Sequence, residues 1–458
     1  MVGVRPVPGA MGSPWSTGVE RLPDGSVAVA GVGVGELAAR FGTPLYVLDE
    51  ADLRARARGY RQAFEAAFAQ VGAEVDVYYA GKAFLSVAVA RWVREEGLAV
   101  DTATGGELAV ALAAGVPGAR IGLHGNNKSD DEIAAAIDAG VGRLVVDSLV
   151  EVERLSAAAV ARAVEVPVMV RVTTGVHAGG HEHIATAHED QKFGLSLAHD
   201  EGADSPAMTA LRAVLAAPGL HLLGIHSHIG SQILEPDGFV VAARRVLGLR
   251  AELAARTGVL VDEVDLGGGY GVAYLPGEVS LDPERIAKEI AQGVAAAAHE
   301  LGTPLPRFSI EPGRSIVGPA GLTLYTVGTV KPVHLDGGFV RTYVSVDGGM
   351  SDNIRPALYG ARYHAEIVGR ASSAAAVPAR VVGKHCESGD IVVHDVALPA
   401  DVAAGDLLAV PVTGAYGRSM ASTYNLVPRP AVVAVRDGEA RVLVRRDTIA
   451  DLLALDQG

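Results

Sequence analysis

Lys82 stands in an apolar run, after VYYAG and before AFL. An ammonium in such a setting is costly unless a partner holds it or its pKa falls, and a lowered pKa turns the amine into a nucleophile able to form a Schiff base. A surface lysine snorkelling out at a strand end is the plain alternative. A nucleotide-binding P-loop is excluded, because Ala83 rather than Ser or Thr follows the lysine. Gly267, Gly268 and Gly269 let backbone approach an anion closely with N–H groups aimed at oxygens, although a tight turn needs the same residues. Arg314, in the EPGR block at 311–314, adds a planar fork suited to phosphate or carboxylate, and Ser231 offers a hydroxyl. His228, in GIHSHIGSQ, is either a flat group that lies against a ligand ring or a core histidine with satisfied hydrogen bonds. Cys386 is the only cysteine, so an intrachain disulfide and an all-cysteine metal site are excluded.

Two further patterns carry less. HAGGHEHIATAH (177–188) is rich in histidine, but the zinc-protease spacing requires a histidine where Ala185 stands, and no metal is expected. GVGVGELAARFG (31–42) has the wrong glycine spacing for a dinucleotide fingerprint and reads as a turn.

The elements that must position these residues are eight apolar runs: VDVYYA (75–80), LAVDT (98–102), RIGLH (120–124), RLVVD (143–147), PVMVRV (167–172), LLGIH (222–226), EVDL (263–266) and RFSIE (307–311). Helical stretches such as LSVAVARWVREEG (85–97) fill most of the gaps. Eight such units predict an α/β fold, a (β/α)8 TIM barrel over 47–318; an open doubly wound sheet usually needs fewer strands. Residues 319–458, with short strands separated by Gly, Asp and Pro turns, predict a C-terminal antiparallel β domain, a barrel or sandwich. Residues 1–46 are expected to form an arm packing with that domain. In such a barrel the chemistry sits at the C-terminal strand ends. Lys82 follows run one there. His124, Asn126 and Asn127 follow run three; His226, His228, Gly230 and Ser231 follow run six. The three glycines follow run seven, and Glu311, Gly313 and Arg314 follow run eight. The last two loops are the usual phosphate site of the fold. A reactive lysine beside a phosphate site suggests pyridoxal 5'-phosphate, with Glu311 as the acid on the pyridine nitrogen and His228 as the stacking group.

Composition narrows the class. The 458 residues are 49% hydrophobic and 20% charged, with a net charge of −14. That is globular material, poorly suited to nucleic acid or anionic membranes. No run approaches the ~20 apolar residues of a membrane span, and the N-terminus lacks a signal peptide's apolar core, so a cytoplasmic protein is expected.

The chain resembles the fold-type III pyridoxal-phosphate-dependent decarboxylases. The resemblance rests on YYAGKAFL, DTATGGEL, HGNNKS, EDQKFGLS, HSHIGSQI, DLGGGYG, EPGRSIVGPAG, DGGMSDNIRPALYGARY, CESGD and GAYGRSMASTYN, in that order over nearly the whole length. The RPALYGARY and CESGD blocks point, within this family, to the diaminopimelate decarboxylases. The resemblance implies that Lys82 carries the cofactor, His228 stacks on it and Glu311 meets its nitrogen. Ser231, Gly267 to Gly269, Pro312, Gly313 and Arg314 would hold the phosphate region. Arg314, Arg355, Tyr359 and Glu387 would bind the far end of the substrate, and Tyr416 would touch both molecules. Cys386 would return the proton, supplied across a homodimer interface that shares the active sites. The activity implied is decarboxylation of meso-2,6-diaminopimelate to L-lysine and CO2, the last step of lysine biosynthesis. A sister enzyme acting on another diamino acid, or a non-catalytic cofactor-binding homologue, is the alternative. Ser227 stands where many relatives are expected to carry a cysteine.

Overall fold

The computed structural model describes residues 11–179, 182–186, 192–199 and 203–458, with side chains throughout except over 177–186. The histidine-rich stretch 177–188 therefore lies outside the described side chains. Two compact units result: one comprises Arg56–Gly271 and Ser280–Gly313, the other the chain up to Ala55, Val272–Val279 and Arg314–Gly458.

The first unit is a closed parallel barrel. Its strands are β1 (Val75–Ala80), β2 (Ala99–Thr102), β3 (Ile121–Leu123), β4 (Arg143–Val146), β5 (Val166–Thr173), β6 (Leu220–Ser227), β7 (Glu263–Asp265) and β8 (Arg307–Ile310). Each pairs with the next, and closure comes from β8 on β1, with Phe308 opposite Val75 and Ile310 opposite Val77. The strands are rich in Val, Ile and Leu because a parallel sheet under helices is buried on both faces. Helices follow β1 to β7, and several start where the chain supplies a Ser or Thr cap: Ser86, Thr104, Ser129, Ser148 and Ser205 each accept a first-turn N–H. The helix Glu50–Gln70 precedes β1 and places Tyr60, Phe64 and Phe68 on one face at four-residue spacing. Tyr60 and Phe64 pack on Tyr270, and Phe68 packs on Phe308 of β8.

The barrel interior is not wholly apolar. Arg143, the first residue of β4, is fully buried. Its guanidinium lies 2.8 Å from Asp265 of β7, donates to Ser309 Oγ of β8 at 2.8 Å, and covers the Tyr78 ring of β1 at 3.5 Å. Ser309 Oγ in turn donates to Asp265 at 2.6 Å. Gly122 in β3 makes room for this cluster, since a Cβ there would lie 2.5 Å from Asp101 Oδ1.

The second unit is built on one mixed sheet. Its main path runs 391–399, 376–382, 340–346, 321–334, 45–49, 431–436, 439–444, and 407–411 also pairs with 321–334. Most neighbours are antiparallel, as the turn-rich sequence suggests. Two pairings are parallel: Leu45 beside Ala431, and Thr342 beside Ala379. Those pairings join segments distant in sequence, so local periodicity carries no sign of their direction. Leu45–Asp49 lies in the middle of this sheet, between 321–334 and 431–436. Valines, leucines and Tyr325 fill one side of the core, and Trp15, Val27, Leu45 and Val433 another.

Arg143→Met is expected to cost about 3–5 kcal/mol, because it leaves the Asp265 carboxylate buried without its cation. Adding Asp265→Asn should recover part of that loss. Denaturant unfolding of the two variants checks both expectations; an R143M midpoint equal to wild type would contradict the first.

Candidate active site

A cleft of about 530 Å³ lies at the C-terminal end of the barrel strands, lined by Lys82, Asp101, His124, Arg171, His228 and Glu311 among others. Lys82 sits on the single turn Gly81–Ala83 that leaves β1, with its side chain exposed. His228 follows β6. Its Nδ1 accepts the Gly268 N–H at 3.3 Å, which places the ring proton on Nε2. Burial, reinforced by the Lys82 charge, holds its pKa well below the usual histidine value, so the ring is flat and neutral.

Glu311 ends β8. Its Oε1 accepts from His226 Nε2 at 2.9 Å. Burial raises its pKa, and the nearby Asp101 carboxylate adds to the effect. His226 is itself buried and neutral, since desolvation depresses its pKa strongly. His124 Nε2 lies 3.1 Å from Asp101 Oδ1 and 3.5 Å from Glu311 Oε1. Desolvation lowers its pKa to about 4 and raises that of Asp101 to about 8. Arg171 of β5 is held over the Phe193 ring at 4.5 Å.

Among the described residues, both Asp101 carboxylate oxygens, His124 Nε2 and His226 Nδ1 are buried without a hydrogen-bond partner. Orphaned polar atoms around a cleft with an amine at its rim suit a polar, ring-shaped ligand. The donor set matches pyridoxal phosphate: an amine for its aldehyde, a carboxylate for its nitrogen and a neutral ring for its face.

Ser231, Gly267 to Gly269, Pro312 and Gly313 lie in the loops after β6, β7 and β8, at the same end as the cleft but outside its lining residues. The glycines there are needed for close packing. A Cβ on Gly267 would meet Ser227 O at 2.4 Å, and one on Gly268 would meet Glu311 O at 2.2 Å. The Gly267 and Gly268 amides already donate, to Asp265 Oδ1 and His228 Nδ1.

The second unit has its own polar cluster. Arg314 and Arg355 both donate to the Tyr274 hydroxyl, at 2.5 and 2.9 Å, and Arg355 also donates to Tyr363. Arg314 lies over the Tyr416 ring at 4.8 Å. Arg355 is buried and has no carboxylate partner among the described residues. Two guanidinium groups gathered on neutral phenols form a natural carboxylate site. Cys386 and Glu387 are exposed, and so is Tyr359. The Cys386 turn is anchored by its neighbours: His385 meets Ser351 Oγ at 2.8 Å and Asn425 Oδ1 at 3.1 Å, and Asp390 accepts the His385 N–H at 2.8 Å.

A family profile described as "Pyridoxal-dependent decarboxylase, pyridoxal binding domain" matches residues 50–318. The diaminopimelate decarboxylase of Mycobacterium tuberculosis is 52% identical over 446 residues, covering 96% of this chain and 97% of its own. That of Bacillus subtilis is 44% identical, covering 94% and 95%. The crystal structure of the M. jannaschii diaminopimelate decarboxylase with L-lysine superposes with a TM-score of 0.85 at 32% identity, covering 96% and 97%. The chain belongs to the diaminopimelate decarboxylase family of pyridoxal-dependent decarboxylases.

As in its relatives, the cofactor is pyridoxal phosphate. Strand-end position alone singled out Lys82, His124, His226, His228 and Glu311, and the structure gathers all five at one end of the barrel. Asp101, Arg143, Arg171 and Phe193 were not anticipated. The signal for three of them was present in the sequence: each is a charge in an otherwise apolar strand run, Asp101 in LAVDT, Arg143 opening RLVVD and Arg171 in PVMVRV. A charge at such a position costs too much to persist without partners.

Burial makes His124 bind a proton more weakly in the folded state (pKa about 4) than in the unfolded chain (6.5). The folded state therefore loses stability as pH falls from 6.5 toward 4, by about 3 kcal/mol from this group. Asp101 acts in the opposite direction over that range, because its raised pKa favours folding at lower pH. The histidine contribution is isolated by comparing unfolding midpoints of wild type and His124→Asn across pH 4–6.5; the variant is expected to fall less steeply.

Proposed function

We propose that this protein decarboxylates meso-2,6-diaminopimelate, giving L-lysine and CO2 as the last step of lysine biosynthesis. The barrel cleft with its amine, carboxylate and neutral histidine is the observation that carries the reading, and near-full-length similarity to diaminopimelate decarboxylases supports it. The activity is that of a carboxy-lyase.

Bound pyridoxal phosphate supplies an electron sink for the pair left when the Cα–CO2 bond breaks. Lys82 would hold it through the side-chain amine. Glu311 would meet the ring nitrogen, its carboxylate oriented by the His226 hydrogen bond. His228 would lie against the ring, where its neutral state would add no competing charge. Ser231, Gly267 to Gly269 and the Pro312–Gly313–Arg314 backbone would hold the phosphate.

The far end of the substrate is an L-amino acid. Arg314 and Arg355 take its carboxylate, Glu387 its ammonium, and Tyr359 and Tyr416 contribute hydroxyls. An amino acid lacking that end would leave the buried Arg355 guanidinium without a carboxylate, which disfavours it as a substrate. Cys386 returns a proton to Cα. Its exposure on each chain is consistent with a homodimer in which it serves the partner's site. A cytoplasmic location agrees with a chain in which, among the described residues, no helix is long and apolar enough to cross a membrane.

CO2 release from meso-diaminopimelate, set beside ornithine, lysine and arginine and run with and without added cofactor, tests the reading. Lys82→Ala should abolish the visible absorbance of the bound cofactor; a retained band would remove Lys82 from its role. Cys386→Ala should slow turnover by about 10²–10⁴-fold while the cofactor stays bound. Mixing the two inactive variants should restore activity in mixed dimers, and no recovery after confirmed subunit exchange would mean self-contained sites.

A further inference from the structure

Beneath Glu311 the barrel holds more acid than base. The Asp101, Asp265 and Glu311 carboxylates, with Glu263 at 4.0 Å, surround the fully buried guanidinium of Arg143. Arg143 is committed to Asp265 at 2.8 Å and to Ser309 at 2.8 Å, and it stands 3.8 Å from Asp101. Glu311 has the His226 N–H. Asp101 has nothing comparable: both of its oxygens are buried and neither accepts a hydrogen bond among the described residues. An ionised carboxylate in that state bears its full desolvation cost, and the remedy open to it is to take up a proton. The nearest atom that could meet that proton is His124 Nε2, 3.1 Å from Asp101 Oδ1 but off the line of a hydrogen bond, so a small turn of either side chain completes the contact. Burial, aided by Arg143 and Arg171, keeps His124 neutral against the opposing pull of Glu311 and Asp265, so its ring nitrogen can accept.

We propose that Asp101 and His124 form a proton-holding pair beneath Glu311: Asp101 is the neutral acid and donates to His124 Nε2, so that Glu311 is the charged carboxylate left to meet the cofactor nitrogen. Two carboxylates a few ångströms apart are thereby driven to opposite protonation states by their surroundings. Asp101 is a positioning residue here, acting on the cofactor through His124 and Glu311. The remaining charges that bear on Asp101 are Lys82, which opposes its protonation, and Asp265 and Glu107, which favour it. Desolvation outweighs them all and puts its pKa at about 8. The pair should therefore hold its proton at neutral pH and release it above that value.

The inference rests on the cleft being the pyridoxal phosphate site, and the test separates the two claims. Infrared difference spectra of wild type against D101N, at pH 7 with and without pyridoxal phosphate, should show loss of a protonated-carboxyl stretch. That stretch should also fade in wild type as pH is raised past about 8. Loss of ionised-carboxylate bands instead would overturn the proposal. H124Q should shift the frequency of the same acid band, and this arm decides the matter if D101N does not fold; an unmoved band would sink the pairing. D101N, which keeps a neutral donor, should bind the cofactor at least tenfold more tightly than D101A, whereas equal weakening would mean that Asp101 acts as an anion. Failure of wild type to take up pyridoxal phosphate would refute the site assignment, while the spectra of the cofactor-free protein would still decide the protonation of Asp101.

Discussion

One buried guanidinium sets the terms for the barrel interior. Arg143 enters at the start of β4 and reaches across to Asp265, Ser309 and the Tyr78 ring, so a single side chain ties β4 to β7, β8 and β1. Its charge is surrounded by more negative groups than it can neutralise. Everything polar above it is arranged around that shortage. Histidines adjoin the leftover carboxylates, and burial presses their pKa values down. Replacing Arg143 alone would strand the Asp265 carboxylate without its cation.

The two units bring different resources. The barrel contributes an amine, a carboxylate and neutral rings at its strand ends, which is equipment for handling electrons. The second unit contributes a pair of arginines on phenolic oxygens and a thiol on an anchored turn. In the function proposed above, the arginines meet the substrate's far carboxylate and the thiol returns a proton.

Much of this was legible from the chain because barrels encode themselves locally. Each of the eight apolar runs anticipated from sequence became a strand, within a residue or two at the ends. The polar residues immediately after them fell where the fold places chemistry. The strand-interior charges were harder to read. Asp101 and Arg143 become meaningful only once closure brings β2, β4 and β7 together, and a scan for apolar periodicity treats each as a blemish in a strand. Parallel pairing in the second unit escaped for a related reason: Leu45 and Ala431 meet in the sheet, but nothing near either residue in sequence announces the other. His385 shows the same limit, since its partners Ser351 and Asn425 lie in separate blocks that only folding joins.

The central position of Leu45–Asp49 has a consequence for biogenesis. This segment leaves the ribosome about 380 residues before one of its two neighbours, Ala431–Arg436. At typical rates of synthesis the wait is roughly 20–80 s. The barrel residues, complete by Gly313, have emerged well before that interval ends. An apolar strand with an unpaired edge thus spends the interval in the nascent chain, where trigger-type chaperones and aggregation compete for it. A stop codon placed just before Ala431 should accordingly yield insoluble protein rather than a shortened enzyme.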